Sequence, residues 1–490
     1  MSFLAPGPKL TLIKGAAWSL ATRWGIRLVG FLNTVVMARL VLPEDYGIVA
    51  MAFLVVGLVQ SLLDFSAATA LIRKDKVSRD EIDSAWTLRG IQGVLMAGVM
   101  MLATPVAAFY FSDTRVTTIL YVFSACVALS GFSNIGLTLA QKQFNFSLEF
   151  RYQLYSKLLS VFMTILAGWW FRDYRALVIG IACGYLGGAL LSYWMHPYRP
   201  RWNTTEIKSI WLVTRWLMLA NIAGFVLRKG DELVAARIGS TSEFGLYNVG
   251  SDLGQMPTGE VGPAVLKSFL PVLASMNETA ADINATVLKT LRVVATLTLP
   301  LGFGLAAVAS PATLLILGSA WTGAAPYVAA FAIVGAIYSL GGPVTTLLTL
   351  RGHTRSLSAA VWVEFCLFVV CAIVLVPYYG LMGLVMARAV GAVVNLFVTF
   401  WLGSKQCSLR LMPILASIVR PLSGALLMYS VVDALVGYLG LGIYSLAISI
   451  LAGASLFFMW SLLSWNFLGR PEGFESTLLE IVSSRGHARK

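Results

Sequence analysis

The chain has 490 residues, of which 58% are hydrophobic and only 12% charged, with a formal net charge of +13 and a mean hydropathy of +0.79. A soluble domain carries about a quarter charged residues, so this composition excludes a water-soluble globular protein and describes one embedded in lipid. The positive balance follows a loop bias rather than a basic patch, which argues against a nucleic-acid partner.

The opening stretch MSFLAPGPKLTLIKGAAWSL lacks the short apolar core and small-residue cleavage site of a signal peptide, so the first span is expected to stay as an anchor. Apolar runs of about the 20 residues that cross a bilayer recur at 13–40, 46–72, 83–111, 116–140, 152–172, 175–195, 209–238, 244–272, 286–310, 324–350, 356–377, 380–403, 412–436 and 440–466. The expected fold is all-α and polytopic, with about fourteen transmembrane helices. Turns such as LPEDYG, FSDTR, GSTSEFG, GSAWTGAAP and PYYG are too short to fold as separate domains.

Span 1 carries Arg23 and Arg27 one turn apart, Thr34 on the same face and Arg39 near its end. Sixteen residues from Arg23 to Arg39 make about 24 Å of helix, a ladder of positive charge through much of the bilayer. Span 2 adds Gln60 and Asp64, and span 3 adds Arg89. Span 7 contains VLRKGDELVAARI, placing Arg228, Lys229, Asp231 and Glu232 almost side by side, with Arg237 further on. Arg228 precedes Asp231 and Glu232 at helical spacing, so an internal ion pair is possible. Span 8 has Pro257, Gly259, Gly262 and Pro263 around Glu260, which predicts a bent, cavity-lining helix that moves during a transport cycle. Ionisable groups in lipid are costly and by default mark a functional path.

Structural readings compete at several positions. Arg39 with Asp45 and Arg237 with Glu243 are spaced to pair at turns, and Glu364 in span 11 is a candidate partner for Arg388 in span 12. Arg73, Lys74, Lys405 and Arg410 read as topology determinants, because Lys and Arg concentrate in the even-numbered loops and the C-terminal tail. That bias predicts cytoplasmic termini. The five scattered cysteines read as packing residues, not as disulfides or metal ligands. The tail GFESTLLEIVSSRGHARK aligns Phe474, Leu478 and Ile481 as a face for the inner leaflet.

A repeat is visible. MARLVLPEDYGIVAM (37–51) lies over AARIGSTSEFGLYNV (235–249) at an offset of 198, matching Ala38/Ala236, Arg39/Arg237 and Gly47/Gly245. The same offset aligns Asn33 with Asp231. Both copies fall at equivalent turns, and six spans separate them, so both halves cross in the same direction. Parallel six-helix repeats imply two lobes, 1–203 and 204–404, followed by two further helices and a tail in 405–490, with alternating access as the mechanism.

The runs GFLNTVVMARLVLPEDYGIVAM, LLDFSAATALIRK and RKGDELVAARIGSTSEFGLYNVGSDLGQMP resemble the Wzx-type polysaccharide transporters of the MOP (multidrug/oligosaccharidyl-lipid/polysaccharide) superfamily. The resemblance covers roughly residues 15–405 and is most specific at Arg39 with Pro43–Gly47 and at Asp231. RKGDE carries more charge than the family's usual pattern. The resemblance implies a flippase that moves undecaprenyl-diphosphate-linked oligosaccharides across the bacterial inner membrane for exopolysaccharide, capsule or O-antigen assembly. Arg23, Arg27 and Arg89 would then bind the diphosphate, joined by Arg228 and Lys229, while Asp231, Glu232 and Asp64 either take a coupling H+ or Na+ or balance charge. No cofactor is expected. The expected partners are the lipid-linked substrate, membrane lipids, a polysaccharide polymerase and a chain-length regulator, with the protein itself a monomer.

Three rivals stand beside this reading. A cation-coupled multidrug (MATE-like) exporter would share the fold but needs an acidic cleft. A membrane polymerase or ligase needs a large outer loop with catalytic residues, and none is present. A scaffold that moves nothing would have no use for intramembrane charge. The chain has no GxxxxGK[ST] motif, which argues against an ATP-driven pump.

Overall fold

The computed structural model describes residues 8–63, 71, 77–143, 145–275, 280–467 and 469. Asp64, the loop cations Arg73, Lys74 and Lys76, and the tail face of Phe474, Leu478 and Ile481 lie outside these residues. Among the described residues there is no strand. In lipid no water is available to backbone amides, so each segment must close its own hydrogen bonds, and helices do so.

Seven helices lead into the middle of the chain: α1 (Pro8–Ala38), α2 (Pro43–Leu63), α3 (Arg79–Phe111), α4 (Arg115–Gly131), α5 (Gly136–Lys142), α6 (Phe146–Phe171) and α7 (Tyr174–Met195). The remainder are α8 (Ile207–Ile238), α9 (Thr241–Ser275), α10 (Ala280–Ala307), α11 (Ala309–Ile316), α12 (Ala325–Leu350), α13 (Thr354–Tyr379), α14 (Leu381–Cys407), α15 (Leu411–Leu439) and α16 (Ile443–Phe467). Among the described residues, ten helices are long and apolar enough to cross a membrane, or eleven if the bent pair α4–α5 is one span. This is a multi-pass membrane protein. Helices α1, α8 and α9 reach 31, 32 and 35 residues yet fall outside that set. They are the helices that carry Arg23, Arg27 and the Arg228–Glu232 cluster, together with Glu260.

The expected continuous span 116–140 is instead broken, with α4 and α5 meeting at 60°. Asn134 explains the break. Its Oδ1 accepts the Gly136 N–H (2.8 Å), and its Nδ2 donates to the carbonyls of Tyr198 (2.7 Å) and His196 (3.2 Å). The side chain thus takes the Gly136 N–H that a continuous helix would pair and ties the break to the carbonyls just past α7, a local competition that asparagine is suited to win.

The chain forms two compact units, Met1–Gly245 and Leu246–Lys490. In the first, α6 packs on α7 through small residues: Gly180, Gly184 and Gly188 lie against Thr164, Ser160 and Ser156. Glycine at every fourth position lets helix backbones approach closely in lipid. Helix α8, expected to open the second lobe, packs on α2 and α3 of this first unit. In the second unit a dry core joins α10, α12, α14 and α15 through Leu291, Leu299, Val344, Phe400, Ile414 and Met428. Large apolar side chains such as Phe109, Trp170, Ile373 and Phe467 are exposed, a surface suited to lipid that would aggregate in water.

The two matched glycines of the repeat touch each other's segments. A Cβ on Gly47 would meet the Thr241 carbonyl oxygen at 2.0 Å, and one on Gly245 would meet that of Pro43 at 1.9 Å. Thr241 is Pro43 shifted by 198, as Gly245 is Gly47. The first turns of α2 and α9 therefore cross reciprocally, at a distance that only glycine permits.

Candidate functional site

Within the first unit, α2, α3, α4 and α8 enclose a cavity of about 500 Å³. Helical spacing selects its lining. Arg89, Gln92, Gly93 and Met96 project from α3, and Asn221, Phe225 and Arg228 from α8. Gly57, Gln60 and Ser61 come from α2, and Val127, Ser130 and Gly131 from α4. Glycines set the width: the Phe225 ring lies where a Cβ on Gly57 would be (2.8 Å), and a Cβ on Gly93 would sit 3.0 Å from the Cα of Gly131.

The charge layout is asymmetric. Among the described residues no carboxylate lines this cavity, while Arg89 and Arg228 both do. The structure corrects the expected ion pair in α8: Lys229 bonds Glu232, and Arg228 pairs with neither Asp231 nor Glu232. The Arg228 guanidinium instead folds back beside Gly224, 3.0 Å from where a Cβ would lie. Asp231 and Glu232 are buried at 3% and 5% exposure. Arg23 is exposed and Arg27 half-buried on α1, and neither lines this cavity. A second cavity of about 550 Å³ adjoins it, sharing Arg89 and Ser130. Sequence reasoning missed Gln92 and Asn221, lone amides in apolar runs whose only signal is their helical spacing from Arg89 and Arg228.

The turn residues have structural partners. Asp45 accepts the backbone N–H groups of Leu42 (3.2 Å) and Tyr174 (2.9 Å), tying α2 to the start of α7. Arg39 is exposed just past the end of α1. The expected Arg237–Glu243 pair is not formed. Glu243 closes a capping box with Ser240 (2.8 Å), whereas Arg237 donates to Ser112 (3.1 Å) and stacks over Tyr110. Nearby, Arg115 bridges Asp113 (2.8 Å) and Glu44 (2.5 Å). Burial opposes ionisation of Asp113, but hydrogen bonds from Arg115 win and hold its carboxyl below the usual carboxylate range.

In the second unit, α9 runs unbroken through Pro257, Gly259 and Pro263. Gly259 and Pro263 face a cavity of about 330 Å³ shared with Gln255, Tyr338 and Arg388. Glu364 does not pair with Arg388. It accepts from the Tyr338 hydroxyl and from Asn395 Nδ2 (2.5 Å), and Arg388 stacks over the Tyr338 ring at 5.8 Å. A larger groove of about 740 Å³ runs between α10, α15 and α16, and its lining is almost wholly apolar, including Pro300, Leu301, Val432, Phe457, Phe458 and Leu462.

An all-α membrane fold with intramembrane arginines on a polar cavity defines a class, the polytopic transporters. The solved structure of the lipid II flippase MurJ in an inward closed conformation superposes with a TM-score of 0.73 over 92% of this chain and 99% of that one, at 15% identity, a likeness of fold. Residues 36–326 match the polysaccharide biosynthesis protein family, and the chain belongs to it. It is 20% identical to the lipopolysaccharide biosynthesis protein WzxC of Escherichia coli K12, over 70% of each chain. It is 21% identical to the teichuronic acid biosynthesis protein TuaB of Bacillus subtilis, over 84% of this chain and 87% of that one.

Proposed function

We propose that this protein is a flippase, moving undecaprenyl-diphosphate-linked oligosaccharide repeat units from the cytoplasmic to the periplasmic leaflet of the bacterial inner membrane. The observation that carries the reading is the cavity bearing Arg89 and Arg228, with no carboxylate among the described residues of its lining. Two guanidiniums offer forked donors suited to the oxygens of a diphosphate. Guanidiniums within the bilayer are favoured where they face water or meet an anion, and this cavity has room for either. The same layout disfavours a cation exporter, and the family and the names of the relatives support transport over catalysis.

The apolar groove fits the other end of such a substrate. A polyprenyl chain lying along α15 and α16 stays in a lipid-like medium. An inside-negative potential favours outward movement of each negative charge by about 2.3 kcal/mol per 100 mV. In this reading the repeat halves 1–203 and 204–404 alternate access, residues 405–490 serve the tail, and the termini are cytoplasmic. Asp231 and Glu232 take a coupling H+ or Na+. The protein acts as a monomer that hands its product to a polymerase and a chain-length regulator.

The test is a proteoliposome assay with a fluorescent polyprenyl-diphosphate disaccharide. Protection of the fluorophore from an external quencher should change only in vesicles that hold the protein, and the replacements Arg89→Gln and Arg228→Gln should each slow the change about tenfold or more. Equal rates with and without protein would refute the proposal.

A further inference from the structure

The second cavity, between α1, α2, α3, α4, α6 and α7, contains a cation that the diphosphate reading leaves unused. Lys157 lies eleven residues into α6, about 16 Å along a helix of about 39 Å. Arg89 lies ten residues into α3, about 15 Å along, and lines the same cavity. Lys157 therefore sits well inside α6, and its side chain lines the cavity. Lys157 makes no hydrogen bond or ion pair with any described residue. Its Nζ rests over α1 at Gly30, 3.8 Å from where a Cβ would stand, on the face that bears Arg27. Intramembrane charges normally pair with one another or face water, and this one faces a cavity large enough to admit a ligand.

The surroundings narrow the ligand. Tyr152, Gln153, Ser156, Ser160 and Tyr185 join Lys157 on the lining, presenting hydroxyls, an amide and two phenol rings, and among the described residues no carboxylate lines the cavity. This is a hydroxyl-matching wall with a compact ammonium beside the shared Arg89, unlike the pair of forked guanidiniums next door. The cavities adjoin at Arg89 and Ser130. A headgroup whose diphosphate lies against Arg89 and Arg228 therefore extends its first sugars into the Lys157 cavity.

We propose that the Lys157 cavity is an acidic-sugar subsite, in which the ammonium receives a carboxylate carried by the glycan while the neighbouring hydroxyls and amide meet the sugar ring. The inference rests on the flippase reading and goes beyond it by naming a charge on the glycan. Being a compact ammonium, Lys157 suits a single carboxylate better than a bidentate diphosphate.

The experiment measures binding to full-length protein in nanodiscs. Two polyprenyl-diphosphate disaccharides serve as probes, identical except that the second sugar carries either a hydroxymethyl group or a carboxylate. Wild type should bind the carboxylated probe at least tenfold more tightly. Lys157→Gln should erase that preference and leave affinity for the neutral probe unchanged, and Lys157→Arg should keep most of it. Equal affinity of wild type for both probes would overturn the proposal. So would a Lys157→Gln variant that weakens both probes alike, because the ammonium would then serve the diphosphate. Failure of the underlying flippase reading looks different: neither probe would bind better than the same disaccharide lacking the diphosphate, and both readings would fall together.

Discussion

The polar cavity of the first unit and the apolar groove of the second differ in what they ask of a ligand. The former, about 500 Å³, carries two arginines and five side-chain amides or hydroxyls. The latter, about 740 Å³, is walled by Leu, Val, Met, Phe and Trp, with three hydroxyl residues that line it, Thr296, Ser449 and Ser461. Either alone is compatible with many membrane proteins. A single chain that maintains a wet, cationic cavity and a dry, lipid-like groove matches a molecule that is anionic at one end and hydrocarbon at the other. Two solvents within one fold mirror an amphiphile.

That contrast can be attacked from both sides. The largest effect is expected at the polar end. Removing a charge-assisted hydrogen bond costs about 1.5–3 kcal/mol, so Arg89→Ala or Arg228→Ala should each lower the flipping rate about tenfold to a hundredfold at unchanged expression, read by the quenching assay. Next in size is Gly47→Ala at the crossing of α2 and α9. A methyl group there meets a backbone carbonyl, so a loss of at least about 1–3 kcal/mol of stability is expected, seen as a lower thermal midpoint in detergent. This control separates stability from binding.

A smaller effect is expected in the groove. Ala454→Trp fills part of it, so affinity should fall several-fold for a full-length polyprenyl diphosphate while a short isoprenoid diphosphate binds as before. Equal losses for both would show that the groove does not see the tail. The smallest effect concerns pH. His196, just beyond α7, accepts the Tyr198 N–H at Nδ1 (3.1 Å). Its pKa is lowered from 6.5 first by burial and then by Arg199. The neutral ring therefore contributes stability that is fully present above pH 6.5 and lost as pH falls through the lower folded value. Wild type should lose thermal stability between pH 7.5 and 5, and His196→Asn should flatten that dependence.

Much of this architecture was legible in residue order. Long apolar runs bounded by short polar turns specify helices because lipid forbids the alternatives, and the helix ends fall within a few residues of the expected spans along most of the chain. Gly47 and Gly245 were found as a repeat, and the structure gives that match a physical reason in their reciprocal contact. The break after Gly131 was not legible, because Asn134 sits in an otherwise apolar run and its partners, the carbonyls of His196 and Tyr198, are more than sixty residues away. Partner choice in the charged segments was also hidden. Spacing allowed Arg228 to reach Asp231 or Glu232, but Lys229 reaches Glu232 first and leaves Arg228 to the cavity. Lys157 escaped notice because it follows Lys142 and Arg151, which read as loop cations, and nothing in its own neighbourhood shows that it faces a cavity.

The central claim is tested most directly by comparing the binding of undecaprenyl diphosphate and undecaprenol, which share a tail and differ only in the anion. Wild-type protein in nanodiscs should prefer the diphosphate by at least a hundredfold, and a chain carrying both Arg89→Gln and Arg228→Gln should bind the two lipids alike. Equal binding of the two lipids by wild type, or an undiminished preference in the double variant, would contradict the assignment of those arginines to the phosphate-bearing end.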